Sequence, residues 1–123
     1  MEIKPPPQNL EAEKAVLGAI LIDNQTLNKI TDLLTPDSFY DLRHQIIYHS
    51  IVSLYRDGKA VDVLTLTADL RKEKKLKQVG GSSYLSEIIS EVPSTNNVEQ
   101  YADIIKECYV RRELIELSGK IDS

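Results

Sequence analysis

Ala15-Val16-Leu17-Gly18-Ala19-Ile20-Leu21-Ile22 is apolar at every position except Gly18. A helix apolar all round is buried on most of its sides, so this stretch is the expected central helix of the fold. Glycine costs about 1 kcal/mol against alanine in a helix interior, and its presence predicts a second helix crossing closely at Gly18. Upstream, Asn9 takes an N-cap position. Glu11 and Glu13 fall in the first turn, where acids complement the helix dipole. Pro5, Pro6 and Pro7 cannot lie inside a helix and read as an extended lead-in.

Working outward in the other direction, Asp23-Asn24 breaks the apolar run and caps a second helix, in which Leu27, Ile30 and Leu34 recur at helical spacing. Thr35-Pro36-Asp37 repeats a helix-start signal, with Phe39 and Tyr40 anchoring one short turn. Leu42 to Arg56 places Ile47, Ile51, Leu54 and Tyr55 on one face and ends at Asp57-Gly58, with glycine at the usual C′ position. Val61-Asp62-Val63 reads as extended before a helix bearing Leu66 and Leu70, which dissolves into Arg71-Lys72-Glu73-Lys74-Lys75. Gly80-Gly81 is a breaker. A short helix with Tyr84, Leu85, Ile88 and Ile89 then ends before Pro93, and Asn96 with Glu99 has capping-box spacing for the last helix.

That last helix carries two stripes. Val98, Tyr101, Ile105 and Cys108 share one face, whereas Val110, Leu114, Leu117 and Ile121 share another. Moving from Cys108 to Val110 turns about 200° round a helix. The first half is therefore expected to pack on the body and the second half to face something else. The second stripe is still running at Ser123 with no C-cap, which reads as a chain cut from a longer protein. No long alternating segment suggests a strand. The expectation is an all-α fold: a helical head of about six helices over residues 9–96, an extended lead-in at 1–8, and an outgoing interaction helix at 97–123.

The composition is that of a soluble globular domain, with 123 residues, 41% hydrophobic and 28% charged. A chain this long buries roughly two-thirds of its unfolded surface. No apolar run approaches the roughly 20 residues of a membrane helix, and the first seven residues do not resemble a secretory signal. Cys108 is the only cysteine, which points to a reducing cytoplasm. A formal net charge of −4 weighs against nucleic-acid binding by the chain itself.

No catalytic residue, cofactor site or metal ligand set emerges. A phosphate-binding loop needs Gly-x-x-x-x-Gly-Lys-Ser/Thr so that backbone amides wrap the phosphates. Gly119-Lys120 fails it at Leu114 and again at Ile121. His44 and His49 lie about 140° apart on one helix and cannot share a metal in the i, i+4 manner, so surface or capping roles are expected of them. Cys108 sits on the apolar stripe as a small hydrophobe. Glu11 with Glu13, and Asp37 with Asp41, are explained by helix-start electrostatics; a hydrolase using the first pair is the enzymatic alternative. The basic run Arg71, Lys72, Lys74, Lys75 and Lys77 supports a second alternative, a small helical nucleic-acid-binding domain. It contains no aromatic residue to stack bases and suits a solvated helix end better. Among the six tyrosines, Tyr84 after the glycine pair is the candidate partner contact, with core packing as the competing role.

Several stretches, in order, resemble the N-terminal domain of DnaB-type replicative helicases. They are Pro6-Pro7 followed by Asn9 to Gly18; Asp37-Ser38-Phe39-Tyr40 with His44; residues 62–70; Val79-Gly80-Gly81 with Ser83-Tyr84-Leu85; Val92-Pro93-Ser94 with Asn97; and Tyr101 to Ile105. The resemblance covers nearly the whole chain, and the joint order of the motifs is what makes it specific. It implies a helical head followed by the first arm of a helical hairpin, truncated here. It further implies a collar on a hexameric ring, in which hairpins pair between subunits and DnaG-type primase binds. ATP, magnesium and strand separation would belong to an absent C-terminal motor domain, and a helicase loader is a further candidate partner. By position, Glu11, Tyr84, Ile115 and Ile121 match family sites implicated in primase communication, and Val110, Leu114, Leu117 and Ile121 would form the subunit interface.

Overall fold

Asn9 fixes the start of the first helix: its Oδ1 accepts the Ala12 N–H at 2.9 Å. The computed structural model describes the backbone of residues 4–122 and the side chains of residues 4–119. Among them are six α-helices: α1 (Leu10–Ile22), α2 (Leu27–Leu33), α3 (Leu42–Arg56), α4 (Val63–Lys72), α5 (Gly81–Ser90) and α6 (Val98–Asp122). Two 3-10 turns, Asn24–Thr26 and Pro36–Ser38, precede α2 and α3, and no strand occurs among the described residues.

α1 is the central helix. It is buried at every residue from Ala15 to Leu21, with only Ile22 of the apolar run exposed. It packs against α3, α5 and α6. The crossing at Gly18 is as close as the sequence demands: a Cβ there would lie 2.7 Å from the Ile88 carbonyl oxygen of α5 and 2.2 Å from Val92 Cγ2. α5 can approach this nearly because nothing projects from α1 at that point.

Local chemistry accounts for the joints. Asp23 heads the first 3-10 turn by accepting the Gln25 N–H at 3.0 Å. Asn24 takes a longer-range part, donating to the Ile20 carbonyl at 3.0 Å and accepting the Val61 N–H at 2.7 Å, which ties the end of α1 to the segment before α4. The Ser38 hydroxyl accepts the Thr35 N–H at 3.0 Å. Phe39 then enters the core against Tyr48, ring centroids 5.0 Å apart, and Tyr48 donates its hydroxyl proton to the Leu34 carbonyl at 2.9 Å. α3 ends as expected, with Gly58 at φ +74° letting the Lys59 N–H reach the Leu54 carbonyl at 3.0 Å. Asp62 and Thr65 cap α4 reciprocally, at 2.8 and 3.0 Å. The basic run from Arg71 to Lys75 is exposed, with Lys74 in the left-handed conformation at φ +61°.

One start differs from the sequence reading. α6 begins at Val98, and the Asn97 carbonyl accepts the Tyr101 N–H at 3.1 Å, one residue later than a cap at Asn96 requires. Glu99, expected to close a capping box with Asn96, pairs with Lys29 of α2 at 3.1 Å.

Candidate partner-binding site

Glu13 lies one turn before Val16 and Leu17 on the core face of α1, and only 1% of it is exposed. A buried carboxylate is costly unless its lone pairs are filled. Here they are: Glu13 accepts the Tyr40 N–H at 2.7 Å, the Asp41 N–H at 3.3 Å and His44 Nδ1 at 2.7 Å. On the other side of its ring, His44 Nε2 is 2.6 Å from the Tyr84 hydroxyl, and the two rings lie nearly parallel with centroids 5.9 Å apart. With Nδ1–H donating to Glu13 and Nε2 accepting the Tyr84 proton, every polar atom in this chain of three has a partner; the assignment follows from the network. His44 is thus not the surface or capping residue expected of it: it is fully buried, because residues 44, 47, 48 and 51 all lie on the core face of α3. Glu13 likewise does more than complement a helix dipole. It joins α1 to the start of α3, and through His44 to α5. His49 is exposed.

Tyr84 is itself a core residue, 8% exposed, whose ring carries the Arg43 guanidinium 4.1 Å above it and the Lys14 ammonium at 5.9 Å. Burial pushes the Tyr84 phenol up to about 12, with Arg43 pulling the other way. Arg43 is aimed by Asp41, which accepts its Nη2 at 2.8 Å and its Nε at 3.2 Å and also caps α3 through the Arg43 N–H at 2.9 Å. Burial raises the Asp41 carboxyl, but the Arg43 side-chain and backbone hydrogen bonds outweigh it, and the group sits below its ordinary value.

α6 behaves as its two stripes require. Val98, Ala102 and Ile105 are buried against α1 and α2, with Tyr101 and Cys108 half-buried beside them. Arg112 lies two turns beyond Ile105 on the same face and also reaches the body. Its guanidinium donates to the Pro7 carbonyl at 2.8 Å and the Ser38 carbonyl at 2.9 Å, and faces the rings of Tyr40 and Tyr109. Val110, Leu114, Ile115 and Leu117 are between 45% and 59% exposed. From Ile105 to Leu114 is nine residues, about two and a half turns, so the second stripe points away from the body.

Glu11 is exposed in the first turn of α1, one turn before Lys14, whose ammonium lies 5.9 Å from the Tyr84 ring centroid. Val110, Leu114 and Leu117 share one face of α6, while Ile115 projects beside them. Ile121 lies outside the described side chains. The residues missed from sequence are Glu13, His44, Arg43 and Arg112. Three of them had a legible signal, a polar residue standing in register on an apolar stripe. Among the described residues no three His, Cys, Asp or Glu side chains converge to hold a metal ion, and no helix is long and apolar enough to cross a membrane.

The all-helical fold is shared with known proteins. Residues 5–107 match the model of the DnaB-like helicase N-terminal domain, and the chain belongs to that family. It is 43% identical over 116 residues to the replicative DNA helicase DnaB of Geobacillus stearothermophilus, covering 94% of this chain and 26% of that protein. The chain therefore spans about a quarter of such relatives. The crystal structure of the N-terminal domain of DnaB helicase from Mycobacterium tuberculosis superposes with a TM-score of 0.93 at 36% identity, covering 95% of this chain and 84% of that one. A structure of a DnaB-like replicative helicase, described with its interactions with primase, gives a TM-score of 0.82 at 34% identity over 92% of this chain and 27% of that one.

Proposed function

We propose that this chain is a non-catalytic collar domain of a hexameric replicative DNA helicase, joining subunits through α6 and binding DnaG-type primase. The observation that carries the reading is the apolar stripe Val110, Leu114 and Leu117. It is exposed on a helix whose other face is anchored to the body by Ile105 and Arg112. Aliphatic side chains stacked on one face of a formed helix suit a second helix laid alongside, here the return arm of a hairpin or a neighbouring subunit. Primase would meet the end of the body around Glu11 and Tyr84, with Ile115 and Ile121 from the outgoing helix. The related helicase described with its primase interactions supports this partner. ATP and magnesium would serve the motor domain of the parent protein, in the cytoplasm, where a loader would also act. Several weak primase sites on one ring would raise apparent affinity by tethering, with no new contact.

The test is an NMR titration of the labelled chain with the helicase-binding domain of its cognate primase. Shifts clustered at Glu11, Tyr84 and Ile115 are expected. No shift at near-millimolar primase domain, together with no binding by the full-length helicase, overturns the reading.

A further inference from the structure

The segment from Ser38 to Asp41 is held from two sides by unlike groups. From inside, the buried Glu13 carboxylate accepts the N–H groups of Tyr40 and Asp41 at 2.7 and 3.3 Å. From outside, Arg112 of α6 donates to the Ser38 carbonyl at 2.9 Å and lies 5.5 Å from the Tyr40 ring centroid. Glu13 continues inward through His44 at 2.7 Å to the Tyr84 hydroxyl at 2.6 Å. An unbroken line of hydrogen bonds and one short stretch of backbone therefore connects Tyr84 in the interior edge of α5 with Arg112 in the middle of α6.

We propose that residues 38–41 form a two-sided clamp that couples the Tyr84 face of α5 to the outgoing half of α6. The physical basis is that neither end can move alone. Glu13 is buried and each of its bonds is set by the others, so losing the Tyr84 hydroxyl removes the restraint on His44 Nε2, and any turn of that ring is passed to the Glu13 carboxylate through Nδ1. The two N–H groups of the 38–41 segment follow, and with them the Ser38 carbonyl that Arg112 uses. Arg112 also binds the Pro7 carbonyl at 2.8 Å, so the lead-in moves with the clamp. In a partner-bound state, contact at the Arg43 side chain that covers the Tyr84 ring would in this way bias how the outgoing helix sits. That functional meaning rests on the reading of Tyr84 as a partner contact.

A double-mutant cycle tests the clamp in the whole chain with no partner present. Tyr84→Phe removes one hydroxyl and keeps the ring; Arg112→Ala removes a half-exposed guanidinium; both are expected to fold. Unfolding in urea should show the two changes to be non-additive by at least about twofold in the equilibrium constant, the lower range for residues in one network. In parallel, Tyr84→Phe should shift the Arg112 Nε–H resonance and the Tyr40 and Asp41 amides. Additive effects, or an Arg112 resonance that does not move, overturn the proposal. Because no primase is present, failure here leaves primase binding untouched, and a failed primase titration leaves the cycle untouched.

Discussion

Replacing Gly18 with alanine puts a methyl group where α5 already is. The new Cβ would sit 2.2 Å from Val92 Cγ2, which can rotate away, and 2.7 Å from the Ile88 carbonyl oxygen, which cannot. Reaching ordinary contact at 3.4 Å requires α5 to recede by about 0.7 Å. A gap of about that size forfeits roughly a quarter to a half of a dispersion contact. α5 buries Leu85 and Ile88 against α1, each worth about 1.5–3 kcal/mol, so the retreat costs about 1 kcal/mol. Strain from forced packing adds about 1–3 kcal/mol, while alanine returns about 1 kcal/mol of helix propensity. The net expectation is a loss of about 2 kcal/mol. At about 4 °C per kcal/mol for a chain of this length, Tm falls by about 8 °C. Urea unfolding and thermal circular dichroism measure both quantities. Adding Val92→Ala should recover only part of the loss, since the carbonyl contact remains. A Gly18→Ala variant as stable as the parent would refute the reasoning, because the crossing would then have room to spare.

Two further perturbations probe the polar interior. Glu13→Gln keeps the shape but turns one acceptor oxygen into a donor facing buried N–H groups; a loss of about 2–4 kcal/mol in urea unfolding is expected from the unmet donor and the lost charge-assisted bonds. A change under about 0.5 kcal/mol would mean the site is wetter than its burial indicates. Asp41→Asn retains a competent N-cap but loses the ion pair with Arg43. Since Arg43 is 41% exposed, the cost at neutral pH is only about 0.5–1 kcal/mol after solvent screening. The folded Asp41 carboxyl lies below its ordinary 3.8, so its contribution is present above that value and lost as pH falls through the folded value. The stability curves of the parent and the variant should therefore converge in acid, and a gap that persists there would contradict the assignment.

Much of the architecture was legible because each element carries its own punctuation. Asn9 and Gly58 mark ends by local chemistry, and Gly18 announces its neighbour by the absence of a side chain; Val63, read as extended, is instead the first residue of α4 because Asp62 caps it. The half-turn between the stripes of α6 foretold a helix with two environments. What escaped was the polar interior, since Glu13, His44 and Tyr84 are separated by 31 and 40 residues and no local rule pairs them. The outward clue was present nonetheless. Glu13 keeps register with Val16, Leu17 and Ile20, and His44 with Ile47 and Ile51, so both stood at core positions. A first-turn acid has an easy electrostatic explanation, and that explanation concealed the harder one. Tyr48, fully buried and bonded to Leu34, was hidden in the same way behind its more exposed neighbour Tyr55.

The half-docked state of α6 has a kinetic side. Starting a helix in water is improbable, with a nucleation constant on the order of a thousandth, whereas extending one costs little per residue. The portion of α6 packed on α1 and α2 supplies that nucleus permanently, so the stretch from Val110 onward needs only propagation. Any partner arriving at Val110, Leu114 and Leu117 meets a stripe already in register, with most of its backbone ordering complete before contact. Association at such a surface should be governed by diffusion and orientation rather than by folding, and dissociation by how well the partner fills the stripe.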